Sequence, residues 1–395
     1  MTVCPRARSS SASWNTTISA PPGPSDSSIW ATVSEVAVTP SEATFDRHRP
    51  PFPPSEPRLN RVLANLALVA VSLAFAGATS ELVLRARFGA PPSWTFPQES
   101  YLPDPELGFR LAPGQSAFTH DQAVQINSLG LRDRDYPREA PPGARRLLAL
   151  GDSQTFGNGL ALADTWPKQL EQELRGIERT PGWEVVNGGV AGTATWQQLI
   201  LLKQTSEGYE IHGLVVGFYV NDVLPVAQAA PEISTELTNT WSKRTAYVLK
   251  RSALLFAAWE ARHPIRAWLE GERISWEEKI LTGEPDPFIE AGWRQVEDSL
   301  AAMKRFADDR RLGFWLVALP RRDQVAGAQN GRAYQRRLAE ICDRLGVSLF
   351  DPLPMLEASY AEHGNQLFIA WDGHHSAMAN AAIARGLALQ ITATD

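Results

Sequence analysis

From about residue 145 onward, short apolar runs alternate with stretches in which apolar positions recur every three or four residues. Trp293, Val296, Leu300, Met303 and Phe306 form one such stripe, and Tyr334, Leu338, Ile341 and Leu345 form another. That spacing is the signature of a helix that lays one face on a core. Between the stripes, five runs predict strands: Arg146 to Leu150, Glu184 to Asn187, Leu214 to Tyr219, Phe314 to Leu319 and Ser348 to Phe350. Strands that alternate with helices predict an α/β domain with a largely parallel sheet. Residues 223–290 break the rhythm, with Tyr247, Val248, Leu254, Leu255 and Trp259 along one side of an amphipathic helix. Packing onto the main domain is the default for such an insertion, and a lid or a membrane-surface contact are its alternatives.

The upstream pattern is different. Val62 to Ser80 is a run of 19 residues without a charge, in which only Asn65, Ser72, Thr79 and Ser80 are polar. A helix needs about 20 apolar residues to cross a bilayer, so an uncleaved anchor over 58–85 is expected, with a buried soluble helix as the alternative. A cleaved signal peptide fits worse, because the run starts some sixty residues into the chain and lacks a small-residue cleavage site. Arg47, Arg49, Arg58 and Arg61 precede the run, and Arg85 and Arg87 follow it. By the positive-inside rule this favours a cytoplasmic N-terminus and an extracytoplasmic remainder. Ahead of the anchor, Pro, Ser and Thr make up 27 of the first 57 residues, which predicts a disordered tail. Residues 86–144 then read as a connecting segment packed on the catalytic domain, and residues 145–395 as that domain, with the 223–290 insertion.

Composition narrows the partners. The formal charge is −6 and no dense basic run occurs, which argues against nucleic acid. Cys4 and Cys342 are too few for a disulfide framework or a cysteine-based zinc site, and Cys342 lies on an apolar helical stripe, as a buried thiol would.

The candidate chemistry lies where the strands end. The first strand runs into Gly151-Asp152-Ser153, so Ser153 stands just past the C-terminal edge of the sheet, where ligands of open α/β sheets bind. A hydroxyl there, with its own N–H at a helix start, suits a nucleophile, although a helix-capping serine gives the same pattern. The second strand ends in Asn187-Gly188-Gly189 and the third in Tyr219-Val220-Asn221-Asp222. Ser153 N–H, Gly189 N–H and Asn221 Nδ2 are therefore candidate donors for a developing oxyanion. Near the C-terminus, Asp372-Gly373-His374-His375 offers a general base and a carboxylate to orient it. Metal binding by Asp372, His374 and His375 is the competing chemistry, but adjacent histidines rarely point at one centre.

Taken together, the Gly-Asp-Ser block, Gly189, Gly217 to Asp222, and Asp372 to His375 resemble the four blocks of the SGNH/GDSL hydrolase superfamily over residues 145–390. The stretches Tyr101 to Arg110 and Ile126 to Asp133 are similar to a segment that precedes this domain in membrane-anchored bacterial members. The resemblance implies a three-layer, flavodoxin-like, doubly wound parallel sheet of about five strands. It also implies Ser153 as nucleophile, an Asp and a His from the last block, Ser, Gly and Asn oxyanion donors, and no cofactor or metal. The family's last block is most often Asp-x-x-His, which selects His375. The residues that follow, Ser376, Ala379 and Asn380, fit His374 better. His374 is therefore the leading base, with His375 as alternative, Asp372 as its carboxylate and Asp351 as a distant substitute. The expected activity is a serine esterase acting on acyl or acetyl esters through an acyl-enzyme, with cell-surface carbohydrate or lipid as substrate. O-acyl transfer to a sugar hydroxyl and a catalytically silent membrane-tethered binding module are the alternatives.

Overall fold

The computed structural model describes residues 58–177, 182–224, 241–262, 275–328 and 331–394. The expected disordered tail and parts of the 223–290 insertion lie outside the described residues. Ala64–Asp395 forms one compact unit, and the contacts given below lie within it.

The first described element is helix α1, Arg58–Phe88. Among the described residues this is the one helix long and apolar enough to cross a membrane, and its apolar window is unburied. Two antiparallel pairs follow, β1 (Tyr101–Asp104) with β2 (Gly108–Leu111), and β3 (Ser116–Thr119) with β4 (Gln122–Gln125). The hydrophobic pattern did not predict these four-residue strands. Each buries only one or two side chains, too few for alternation to register.

The central sheet comprises β5 (Arg145–Gly151), β6 (Trp183–Gly189), β7 (Gly213–Phe218), β8 (Gly313–Ala318) and β9 (Ser348–Phe350). Its order is β6-β5-β7-β8-β9 and every pairing is parallel. The order reverses between β5 and its neighbours, which makes a doubly wound α/β sheet with its switch point beside the first strand.

Both faces of the sheet are covered, so its inner strands carry continuous apolar runs, such as Leu147 to Leu150 and Leu214 to Val216, instead of alternating with polar residues. Side-chain parity divides them between two cores. Leu148, Leu150, Val186, Leu214, Val216 and Leu316 face one side. There they meet Trp293, Val296 and Leu300 of Pro287–Asp309 and Tyr334, Leu338 and Ile341 of Ala333–Leu345. Leu147, Ala149, Val185, Val215 and Val317 face the other, against Trp166–Ile177 and Ala377–Thr394. Each fully buried Leu or Val is worth roughly 1.5–3 kcal/mol of transfer free energy, and the stripes read from the sequence supply much of this surface. Cys342 is buried and free, and burial pushes its thiol up to about 12.

Candidate active site

The loop that carries Ser153 is built from close approach. Gly151 ends β5 with φ +155°, and a Cβ there would lie 2.0 Å from Thr155 Oγ1 and 2.7 Å from Gly217 O. Only glycine fits, and the chain can then turn into the short helix α2, Ser153–Phe156. Asp152 caps that helix through Oδ1, which accepts from Gln154 N–H at 2.9 Å. Its other oxygen accepts from Asn221 Nδ2 at 2.8 Å, so the first and third blocks are joined beneath the rim. Burial raises the Asp152 carboxyl above its usual range, against the bonds from Gln154 and Asn221.

The far side of α2 is held by Arg132, from the segment that precedes the sheet. Its Nη1 donates to Phe156 O (2.8 Å) and Gly157 O (2.7 Å), and its Nη2 donates to Leu160 O (2.5 Å). Arg132 is fully buried, and burial pulls its pKa down to about 10. It remains a cation at neutral pH. In the sequence, Arg132 lies in the stretch Ile126 to Asp133 with no signal of this task.

Ser153, His374 and Asp372 form one relay. His374 Nε2 lies 2.8 Å from Ser153 Oγ and its Nδ1 lies 2.5 Å from Asp372 Oδ1. Asp372 Oδ1 also accepts the His374 backbone N–H at 2.9 Å. With Nδ1–H donating to the carboxylate, Nε2 is left as acceptor for the serine proton. Burial disfavours charge on His374, but the Asp372 charge, its hydrogen bond and the Asp152 charge outweigh it and raise the imidazole pKa. Asp372 answers in kind: burial pushes its carboxyl up, but the His374 charge and bonds bring it down to about 2.

His375, the alternative base, is outside this relay. Its backbone bridges Phe368 and donates to Gln154 Oε1 at 3.2 Å, which turns its ring into the core. Neither ring nitrogen has a hydrogen-bond partner among the described residues. Burial, helped by the His374 charge, pushes it down to about 3. Asp351, the distant substitute carboxylate, caps Leu353 N–H instead. Sequence reasoning missed His120, at φ +53° on the β3–β4 turn. It lies close enough to Asp372 and His374 to feel both charges, and burial lowers its pKa.

Of the three expected donors, Ser153 and Asn221 each have an N–H free to turn toward the rim. Ser153 N–H opens α2, and Asn221 Nδ2 spends one hydrogen on Asp152 and keeps a second. Gly189 requires a correction. Its N–H donates to Asn187 Oδ1 at 3.0 Å, and it sits so close to α2 that a Cβ would lie 2.2 Å from Phe156 N. Its lack of a Cβ serves helix packing. Three residues on, Gly192 at φ +79° occupies the half-exposed turn that Val190 N–H and Thr193 Oγ1 tie back to Gly151 O. Among the described residues the Gly192 N–H has no partner.

Beside the rim, a recess of about 510 Å³ is bordered by Gly373, Tyr219, Arg322, Phe88 and Arg87. The described residues contain no cluster of three or more His, Cys, Asp or Glu able to hold a metal.

No family model matches the chain, and no curated protein matches it. Among solved structures it is similar to TesA at 15% identity and TM-score 0.39, over 63% of this chain and 99% of that one. It is likewise similar to a lipase/acylhydrolase from Enterococcus faecalis at 12% identity and TM-score 0.38, over 63% and 96% of the two chains. A third likeness, to AlinE4, an SGNH-hydrolase family esterase, has 16% identity and TM-score 0.34 over 65% and 95%. At these scores the likeness carries no argument about activity, which rests on the geometry of Ser153, His374 and Asp372.

Proposed function

We propose that the protein is a serine ester hydrolase of the SGNH/GDSL kind, acting on acyl or acetyl esters through an acyl-enzyme. The observation that carries this reading is the hydrogen-bonded line from Ser153 Oγ through His374 to Asp372. Ser153 Oγ attacks the ester carbonyl as His374 Nε2 takes its proton, and Asp372 stabilises the imidazolium. The carbonyl oxygen, now negative, is held by Ser153 N–H and the second Asn221 Nδ2 hydrogen, with Gly192 N–H as the donor from the neighbouring turn. His374 returns its proton to the departing alkoxide. Water then attacks the acyl-enzyme carbonyl with His374 again as base, and the acid leaves as Ser153 regains its proton. The recess beside Gly373 supports this scheme by offering room for one arm of the ester at the rim. With the chain anchored by α1 and its remainder extracytoplasmic, the substrate is an ester on cell-surface carbohydrate or lipid.

Ser153→Ala tests the scheme. Hydrolysis of p-nitrophenyl acetate is expected to fall by at least about 10⁴-fold in kcat, with the fold retained, and labelling by a fluorophosphonate is expected to disappear. An active, labelled variant would refute the nucleophile.

A further inference from the structure

We infer that the exposed apolar edge of helices α3 (Trp241–Leu249) and α4 (Ala253–Glu260) rests in the interfacial layer of the bilayer that α1 is long enough to cross. The first observation is how these helices are fastened. Glu81, in the last two turns of α1, accepts from Ala253 N–H at 2.9 Å, Leu254 N–H at 2.9 Å and Ser252 Oγ at 2.8 Å. Arg85 donates to both Glu81 and Arg251 O, each at 2.6 Å. A carboxylate within an apolar segment is costly unless its oxygens are filled, and here the start of α4 fills them.

This attachment brings one apolar surface against another. Leu254 joins Phe75, Ala76, Val83 and Leu84 of α1 around a recess of about 640 Å³. Trp241, Val248, Leu249, Leu254 and Leu255 are all exposed. Positions 241, 248 and 249 are seven and eight apart, on one side of α3. The edge therefore continues the exposed surface of Phe75, Leu82 and Val83 on α1.

The chemistry behind the edge is that of a lipid–water boundary. Trp94 stacks near Tyr247 and Phe256, and Phe256 near Trp259 and Trp371. Lys250 lies 3.5 Å above the Trp259 ring, Arg262 3.9 Å above it and Arg244 5.4 Å from the Phe96 centroid. Amphipathic rings with long cationic side chains are the usual anchors at headgroup depth. The cluster ends on Trp371, whose Nε1 donates to Gly89 O at 2.9 Å and which immediately precedes Asp372. The bilayer surface thus passes beside the catalytic rim. A soluble partner would not account for continuity with a helix of membrane-spanning length.

The test is accessibility of spin labels on the full chain in phosphatidylcholine/phosphatidylglycerol vesicles, with Cys4 replaced by Ser and buried Cys342 retained. Labels are placed at Leu249→Cys and Leu254→Cys, with Ala70→Cys in mid-helix and Gln172→Cys on the remote surface. Labels at 249, 254 and 70 are expected to favour oxygen over aqueous nickel chelate at least about fivefold relative to 172, as an edge sunk about 5–10 Å into the interface requires. Labels at 249 and 254 that behave like 172, or that are shielded from both reagents as beneath a protein partner or second copy, would overturn the inference. So would an aqueous label at 70. Two edge positions guard against one variant misfolding, and the readout does not depend on turnover, so failure of the esterase reading would be seen separately.

Discussion

His374 works between opposing influences. Burial favours its neutral form, while Asp372, in contact with Nδ1, favours the charged one and prevails, so the pKa is raised. In the proposed scheme the neutral imidazole accepts the Ser153 proton, and that form is populated only above the raised pKa. kcat/KM for a neutral ester is therefore expected to rise with pH through a midpoint above the ordinary imidazole value of about 6.5. Asp372→Asn removes the charge that opposes burial, so the midpoint should move to lower pH while kcat falls by about 10⁴-fold. A pH–rate profile reads both effects, and an unmoved midpoint would show that the carboxylate does not set the base. The neighbouring His375, held down near 3 by burial, is neutral across the same range. Composition could not separate the two histidines. What separates them is the bridge from His375 to Phe368, a long-range contact that fixes which ring turns inward. The offsets Ser376, Ala379 and Asn380 carried a faint trace of that choice.

At the scale of elements, legibility follows burial. The strands of the sheet are covered on both faces, so β5, β6, β7 and β8 carry short apolar runs in the sequence and were located to within one or two residues. The two hairpins at 101–125 bury few side chains and turn at positions such as Gly108, at φ +82°, so they left no period to read. Gly189 exposes a different limit. A glycine at a strand end signals close approach of something, but not of what. Here it is α2, and a Cβ would meet Phe156 N at 2.2 Å and Thr155 C at 2.5 Å. Gly189→Ala retains the N–H but overpacks the strand–helix contact. It is expected to destabilise the protein by about 1–3 kcal/mol, read as a lowered thermal midpoint. An unchanged midpoint would mean that α2 does not lean on β6 as closely as the backbone indicates.

At the scale of the whole molecule, the stretch before the sheet is part of the structure that holds Ser153 in place. Leu107, Phe109, Leu111, Val124, Ile126, Leu131 and Tyr136 belong to the same core as Leu148, Leu150 and Val186. Asp133 Oδ2 accepts Asn187 N–H at 2.9 Å and Lys168 Nζ at 3.3 Å. Arg132 reaches the carbonyls of Phe156, Gly157 and Leu160, at the end of α2 and just beyond it. Residues 101–136 and the sheet should consequently unfold together. Arg132→Met keeps the length and apolar volume of the side chain but takes the guanidinium from Phe156 O and Leu160 O in the interior, while Gly157 O keeps the Leu160 N–H at 3.1 Å. At about 1–3 kcal/mol for each of the two unsatisfied groups, the loss should reach at least about 2 kcal/mol. For a domain of this size that lowers Tm by roughly 4–8 °C. Hydrogen exchange should accelerate in β1–β4 and in β5 and β6 by the same factor. Loss of protection in the hairpins alone would mark them as a detachable appendage, and the support of Ser153 would then have to come from Asp152 and Gly151 without them.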